Sequence, residues 1–245
     1  MLETLAQILR NARHVAVLTG AGVSAESGIP TFRDALTGLW SSFNPQELAT
    51  PEAFQRNPRM VWEWYDYRRQ LLADVQPNPA HLALAEIEQH VPRMTLITQN
   101  IDSLHQRAGS QRVIELHGNL QRNKCFRENT IIESWPATDE LPPRCPNCGS
   151  PLRPDVVWFG ELLPAEPLSQ ARDAALNCDV FMSIGTSGQV EPAASLPYIA
   201  MRHHATIVII NPEVQASVSP NYFSISAKAG EFLPRLVQAA WPVSE

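Results

Sequence analysis

Short apolar runs alternate with amphipathic segments along most of the chain. Helical patterns cover 80–90 and 167–176, between runs that are rich in β-branched side chains. Buried strands that alternate with helices are typical of an α/β fold with a doubly wound, Rossmann-like parallel sheet. In such a fold, ligands bind at the carboxyl ends of the strands. The predicted strands lie at 15–18, 94–97, 113–116, 180–184 and 207–210.

Two stretches interrupt this alternation. Residues from about 30 to 74 are helical and aromatic in pattern, and residues from about 121 to 159 contain three cysteines among Pro, Asn and Gly. We therefore predict a small domain made of two insertions, which are helical at 31–74 and zinc-ribbon-like at 121–159. The Rossmann-like domain would then comprise 1–30, 75–120 and 160–245.

Composition narrows the function classes without naming one. The chain has 245 residues, of which 44% are apolar, and a formal net charge of −6. Because there is no basic stripe, we predict no nucleic-acid partner. No apolar run is long enough to cross a membrane, and the N-terminus lacks the basic start of a signal peptide. We therefore expect a cytoplasmic protein without a membrane partner.

A glycine-rich loop follows the first predicted strand. Gly20, Gly22 and Ala25 form a G-x-G-x-x-A pattern, in which the glycines allow a tight turn and a close approach to a pyrophosphate. A Rossmann dehydrogenase would place an acidic ribose ligand about 20 residues further on, and this chain has none there. We therefore expect a dinucleotide that is held in another way, with Arg33 available for a phosphate.

Residues 20–33 read GAGVSAESGIPTFR and residues 98–105 read TQNIDSLH. These two segments resemble the first two signatures of the sirtuin family of NAD-consuming protein-lysine deacylases. LHG at 116–118, VWFGE at 157–161 and GTS at 185–187 follow in the family's order. The resemblance runs from residue 15 to about residue 234, which is nearly the whole chain.

The resemblance implies an NAD pocket and a catalytic group. His117 would be the general base, with Asn100 and Asp102 sequestering the nicotinamide carboxamide. An imidazole suits proton abstraction near neutral pH, and sequestering nicotinamide keeps water from the reacting carbon. Asn100 and Asp102 have an ordinary alternative role as helix caps. The implied NAD-binding residues are Gly20, Ala21, Gly22, Phe32, Arg33, Gln99, Asn100, Ile101, Asp102, Gly185, Thr186, Ser187, Asn211 and Ala229.

A possible carboxylate receptor lies in the helical insertion. Tyr65 and Arg68 are three residues apart and would share one face of a helix. A guanidinium and a phenol can together bind a carboxylate, although an amphipathic helix with aromatic residues inward is an ordinary alternative. This Y-x-x-R pattern resembles the bacterial sirtuins that remove succinyl, malonyl and glutaryl groups. Ala49 matches the small residue of that subgroup, and we expect some deacetylation as well.

Two further segments resemble the strands between which sirtuins hold an extended acyl-lysine peptide. Backbone pairing of this kind selects weakly for sequence, so we expect many acylated proteins as partners. Val157 would lie near the acyl-lysine amide. The segments cover 157–161 and 188–192, and the implied peptide-binding residues are Val157, Phe159, Gly160, Glu161 and Val190.

The cysteines form an incomplete zinc motif. Cys145 and Cys148 make a C-x-x-C half-site, whereas Cys125 has no second cysteine beside it. Cys178 precedes a core strand and is expected to be a buried structural thiol. A fourth ligand other than cysteine, a weakly held zinc and no metal at all remain open.

Two other functions would use the same NAD pocket. A protein ADP-ribosyltransferase would pass the ribose to a side chain, but it has no need for the carboxylate receptor of Tyr65 and Arg68. A non-catalytic NAD-sensing module would leave His117 dispensable. A hydride-transfer dehydrogenase is disfavoured, because the acidic ribose ligand is missing.

Overall fold

The computed structural model describes residues 1–29, 44 and 48–242. Its strands form two sheets. The larger sheet contains β1 (His14–Thr19), β2 (Arg93–Thr98), β3 (Val113–Glu115), β7 (Val180–Ile184), β8 (Thr206–Ile210), β9 (Ser217–Ser219) and β10 (Tyr222–Ile225). Its strand order is β3-β2-β1-β7-β8-β10-β9, and only β9 runs antiparallel to its neighbour. The smaller sheet contains β4 (Gly118–Cys125), β5 (Ile131–Ile132) and β6 (Leu152–Val156), which are antiparallel.

Helices cover both faces of the larger sheet. Those of the described residues are α1 (Leu2–Asn11), α2 (Ala21–Ala25), α3 (Pro51–Arg56), α4 (Pro58–Ala73), α5 (Pro79–His90), α6 (Leu104–Arg107), α7 (Ala165–Asn177), α8 (Leu196–Arg202) and α9 (Ala229–Ala240). One apolar core joins α1, α5 and α9 to the sheet, and a second joins α7 and α8 to it. The predicted doubly wound, Rossmann-like fold is confirmed, because β-branched strands are buried between two helical layers.

The five predicted strands are all present, with ends that differ by no more than one residue from the apolar runs. The sequence patterns did not indicate β9 and β10, nor the three strands of the smaller sheet. The division of the chain into two domains stays a prediction.

A third apolar core lies away from the larger sheet. It packs α3 and α4 against the smaller sheet and includes Tyr65, Trp64 and Trp158, all of which are buried. A small cluster around Cys125 and Cys145 packs beside Trp62. No helix of the described residues has the length and apolar character that spanning a membrane requires.

Candidate active site

Four neighbouring strands end in register at one edge of the larger sheet. Thr19 pairs with Thr98 on one side and with Ile184 on the other, and Ile184 pairs with Ile210. The residues that follow these strand ends are Gly20, Gln99, Gly185 and Asn211. Their backbone N–H groups donate to Ile184, Thr19, Ile210 and Ile225 respectively, at 2.9–3.1 Å. The fold therefore brings four of the predicted NAD-binding segments to one sheet edge.

The glycines of the loop are needed for close packing between two backbones. A Cβ on Gly20 would lie 2.8 Å from the Gly185 carbonyl oxygen, and a Cβ on Gly22 would lie 2.9 Å from the Gly185 Cα. Gly20 itself is extended, with φ −131°, so its conformation is open to any residue. We expected Gly20 to allow a tight turn. The structure shows that glycine is needed there because a side chain would collide with the loop after β7. The approach of Gly22 to a pyrophosphate stays a prediction.

Ser24 links the two side chains that are predicted to hold nicotinamide. The Ser24 hydroxyl donates to Asp102 Oδ2 at 2.6 Å, and Asn100 Nδ2 donates to Ser24 Oγ at 3.0 Å. Asn100 Nδ2 also lies 3.1 Å from the Gly20 carbonyl. The side-chain oxygens of Asn100 and Asp102, beside the glycine loop, can accept from the NH₂ group of a carboxamide. These residues fit a nicotinamide group at the sheet edge.

The helix-capping alternative for Asp102 holds at the same time. Asp102 Oδ1 accepts from the Leu104 backbone N–H at 2.9 Å, at the start of α6. Ser103, between them, has φ 63°, a left-handed conformation that costs free energy in a non-glycine residue. One oxygen of Asp102 thus fixes the local backbone while the other contacts Ser24. The sequence did not indicate Ser24, because a serine in a glycine-rich loop carries no distinct pattern.

His117 is oriented by a backbone carbonyl. Its Nδ1 lies 3.0 Å from the Gln99 carbonyl oxygen, which can only accept, so Nδ1 carries the proton. Nε2 is then the unprotonated nitrogen. Burial lowers the pKa of His117, although the bond to Gln99 opposes the shift. The imidazole is therefore a neutral base near neutral pH, as the predicted role requires.

Two buried histidines, His81 and His105, lie near the sheet edge, and the sequence did not place either of them in the site. Their ring centroids are 4.7 Å apart. Thr19 Oγ1 donates to Thr98 Oγ1 and lies 2.9 Å from His105 Nε2. Burial lowers the pKa of His81 to about 4 and that of His105 to about 3. Both rings are therefore neutral, and His105 contacts the end of β1 at Thr19.

Residues of the predicted acyl pocket meet in the third core. Ala49, Tyr65 and Trp158 are buried together there, and Ile101 packs against them. The Arg68 guanidinium carbon lies 6.0 Å from the Tyr65 ring centroid, so the two side chains share one face of α4 as predicted. Burial lowers the pKa of Arg68, while its interactions with Tyr65 and Asp102 oppose that shift. Burial also raises the pKa of Tyr65 to about 12.

The segment at 157–161 is anchored from within the protein. Both carboxylate oxygens of Glu161 contact Arg153, at 2.5 and 2.9 Å, and one accepts from the Trp158 backbone N–H at 2.8 Å. The Phe159 backbone N–H donates to the Ala49 carbonyl at 2.9 Å. Glu161 thus positions the segment, and its predicted contact with a peptide stays a prediction.

The other predicted residues differ in their exposure to solvent. Phe159 and Val190 are exposed apolar side chains, with 47% and 44% of their surface accessible, and Gly160 and Ser187 are exposed as well. Asn211 Nδ2 donates to the Thr186 carbonyl at 2.8 Å. Val157 bonds through its N–H to the His117 carbonyl at 3.0 Å. Ala21 begins α2, and Ala229 is buried at the start of α9. Phe32 and Arg33 lie outside the described residues.

Three cysteines and one glutamate form a candidate metal site. The side-chain ligand atoms of Cys125, Glu128, Cys145 and Cys148 all lie within 4.8 Å of one another. Four ligand atoms at this spacing suit the tetrahedral coordination of zinc. Glu128 was missed from the sequence, because no common motif places a carboxylate there. Cys178 lies in the second core and outside this cluster, as expected.

Comparison with known proteins identifies the class to which this fold and site belong. A family model described as the Sir2 family matches residues 20–192. The chain therefore belongs to the Sir2 family, and the resemblance to sirtuins is confirmed.

Individual relatives are similar over nearly their whole length. A protein from Ralstonia nicotianae named NAD-dependent protein deacylase is 52% identical, with 92% of each chain covered. One from Pseudomonas aeruginosa named NAD-dependent protein deacylase 1 is 46% identical and covers 98% of this chain and 100% of its own. A crystal structure of a Sir2 homologue in complex with NAD has a TM-score of 0.86 and 45% identity, with 97% and 93% coverage. A Sir2 structure with a p53 peptide and NAD⁺ has a TM-score of 0.80 and 31% identity, with 97% and 98% coverage.

Proposed function

We propose that this Sir2-family chain is an NAD-dependent protein-lysine deacylase that favours acyl groups ending in a carboxylate. The membership of the family and the names of its relatives support the deacylase activity. The single observation that carries the acyl preference is the pairing of Arg68 with Tyr65 in a largely apolar core beside Asp102. A cation in such surroundings favours an anionic partner.

The residues at the sheet edge would hold NAD by its nicotinamide half. Asn100 and Asp102, joined through Ser24, would fix the carboxamide, while the loops at Gly20 and Gly185 would support the rest of the cofactor. Bound NAD supplies the ribose that accepts the acyl group from lysine. The buried wall around Ile101 would keep water from that ribose.

His117 would remove a proton during acyl transfer. Its Nε2 is the free acceptor, because Nδ1–H is engaged by the Gln99 carbonyl. The same residue connects to the peptide-binding segment through its backbone, since its carbonyl accepts from Val157. A base that is fixed to both the cofactor side and the peptide side can act on the ribose hydroxyl once the peptide is bound.

Acylated proteins would bind as extended peptides against 157–161 and 188–192. Exposed Phe159 and Val190 offer apolar contacts there, and backbone pairing makes the selection for sequence weak. The acyl chain would pass Val157 and end at Tyr65 and Arg68. Succinyl and malonyl groups have the terminal carboxylate that this arrangement favours. Acetyl-lysine would also react, although its methyl group would form no charge-assisted hydrogen bond with Arg68.

Zinc would be held at Cys125, Cys145, Cys148 and Glu128. The metal would join the turn after β4 to the turn that contains Cys145 and Cys148, and would thereby stabilise the smaller sheet. The cluster lies in a different apolar group from the acyl pocket, so its role would be structural.

The test uses matched acetyl-lysine and succinyl-lysine peptides with NAD. Nicotinamide and deacylated peptide are followed by mass spectrometry for wild type and Arg68→Met. We expect Arg68→Met to lower kcat/KM for the succinyl peptide by about 10- to 100-fold, the size of a lost charge-assisted hydrogen bond. The acetyl peptide should change far less, because it makes no bond to Arg68.

Arg59→Met is the matched control. Arg59 lies on the same helix, 70% of its side chain is exposed, and it pairs with Glu63. Its substitution should leave the ratio of succinyl to acetyl turnover unchanged. If the protein removes acetyl but not succinyl groups, and Arg68→Met leaves deacetylation unchanged, the deacylase activity stands and the acidic-acyl preference is rejected.

A further inference from the structure

The hydroxyl of Tyr65 has an internal hydrogen-bond donor. Trp158 Nε1 lies 2.8 Å from Tyr65 Oη, and both side chains are buried. An indole N–H can only donate, so Tyr65 must accept in this bond. The phenolic proton is therefore directed elsewhere, and within the described part of the chain no acceptor for it is seen at hydrogen-bond distance.

The Trp158 ring is held from several sides. It stacks on Tyr65 with ring centroids 6.3 Å apart and packs on Phe54 at 5.3 Å. The Arg153 guanidinium carbon lies 3.3 Å from the Trp158 ring centroid, and Arg153 is itself fixed by Glu161. Because the ring is fixed in this way, its N–H keeps one direction, and the bond to Tyr65 is a permanent part of the pocket wall.

We propose that Trp158 is a specificity-determining residue, because its N–H occupies one acceptor position of the Tyr65 hydroxyl and commits that hydroxyl to donate to an acyl carboxylate. The proposal rests on the acidic-acyl preference proposed above. Trp158 acts through Tyr65 and is a positioning residue for the acyl group.

The polarity of the whole pocket end follows from this bond. Tyr65 keeps its proton at neutral pH, because burial raises its pKa to about 12. A guanidinium has donors and no acceptor, so Tyr65 and Arg68 together would present mainly donors to the acyl group. An ionised carboxylate has acceptors alone and is complementary to them. A neutral amide of the same shape would bring an NH₂ group against two donors and would be rejected.

The test replaces the indole N–H while keeping an aromatic ring. Trp158→Phe is compared with wild type on succinyl-lysine, acetyl-lysine and the neutral amide isostere of succinyl-lysine. We expect the succinyl-to-acetyl ratio of kcat/KM to fall about fivefold, the effect of one ordinary hydrogen bond. The loss should lie in KM for the succinyl peptide, because the bond acts on binding of the acyl group. Discrimination against the amide isostere should weaken as well.

A double-substitution cycle with Tyr65→Phe separates positioning from packing. When the hydroxyl is absent, Trp158→Phe should leave the remaining selectivity unchanged, since its effect passes through that hydroxyl. An equal loss for all three acyl groups, or an undiminished loss in the Tyr65→Phe background, would overturn the proposal. Because phenylalanine is smaller than tryptophan, the same cycle is run with 3-benzothienylalanine at position 158, which has the shape of tryptophan without the N–H.

Trp241→Phe is the matched control. Trp241 follows α9 and stacks on His90, in a different core from Trp158, so its substitution should leave all three ratios unchanged. If wild type removes no succinyl group, the acidic-acyl preference fails and this proposal fails with it. If wild type prefers succinyl and Trp158→Phe or the benzothienyl substitution keeps the full preference, only the role of Trp158 is rejected.

Discussion

The bond between His117 and Gln99 decides which imidazole nitrogen can take a proton. Because Nδ1 donates to a carbonyl, Nε2 is left as the acceptor, and burial keeps the ring neutral. Asp102 shows a similar division at the level of single atoms, with one oxygen on Ser24 and the other on the Leu104 N–H. In both side chains, one polar atom is held by a backbone group, and the second polar atom is available for another contact.

The buried histidine pair predicts an acid-sensitive fold. His81 and His105 have pKa values of about 4 and about 3, below the ordinary value of 6.5. Their contribution to stability is complete above pH 6.5 and is lost as the pH falls towards those lower values, because the unfolded chain binds protons first. Each histidine should lower the free energy of unfolding by about 1.4 kcal/mol per pH unit within that window.

Urea unfolding of wild type and His105→Asn between pH 6.5 and 5 measures this effect. The slope of the unfolding free energy against pH should be smaller in His105→Asn by about 1.4 kcal/mol per pH unit. His203→Gln, at an exposed position after α8, should keep the slope of wild type. The same slope in wild type and His105→Asn would contradict the account.

At the scale of elements, Glu128 completes the cysteine cluster after β4. Its backbone N–H lies 3.4 Å from Cys125 Sγ, and its carboxylate lies within reach of all three thiols. Structural zinc sites have four protein ligands, so a carboxylate in the fourth position is the reading that the geometry favours. The turn at 125–128 and the turn at 145–148 would then be joined through the metal.

Glu128→Ala should weaken zinc binding by about tenfold or more, since loss of a ligand should cost at least as much as loss of a residue that supports one. Glu128→Cys should retain zinc at least as tightly as wild type. Chelator competition measures the affinity, and X-ray absorption at the zinc edge should show three sulfur ligands and one oxygen in wild type. Glu133→Ala, an exposed residue outside the cluster, is the control. Unchanged affinity in Glu128→Ala would exclude Glu128 as a ligand.

At the scale of the whole molecule, five strands of the larger sheet could be predicted because they are largely apolar and most of them end at recognisable motifs. The smaller sheet could not. Its strands contain Lys124, Arg153 and Pro154, and the buried charges are tolerated because Asp155 and Glu161 pair with them. Such pairing across strands is invisible in a single apolar pattern. Ser24 and Trp158 were missed for a similar reason, since their partners Asp102 and Tyr65 lie 78 and 93 residues away in the sequence.

A short series of side-chain contacts joins the predicted NAD site to the predicted acyl pocket. Asp102 accepts from Ser24, beside the predicted nicotinamide site, and interacts electrostatically with Arg68 of the predicted acyl pocket. Trp158 then connects Tyr65 to the peptide-binding segment. Cofactor, peptide and acyl group would therefore meet around one set of buried side chains, and this is the central claim of the proposed function.

The most direct measurement compares two peptides that differ only in charge at the acyl end. Wild type is incubated with NAD and either succinyl-lysine peptide or its neutral amide isostere, and nicotinamide and free-lysine peptide are quantified. For each peptide, we expect nicotinamide and free-lysine peptide to form in equal amounts. We expect kcat/KM for the succinyl-lysine peptide to exceed that for the amide isostere by about tenfold or more. His117→Ala should still bind NAD and yield no free lysine, because it lacks the base that acts on the ribose hydroxyl during acyl transfer. In wild type, equal turnover of the two peptides, or nicotinamide release without free lysine, would contradict the proposed function.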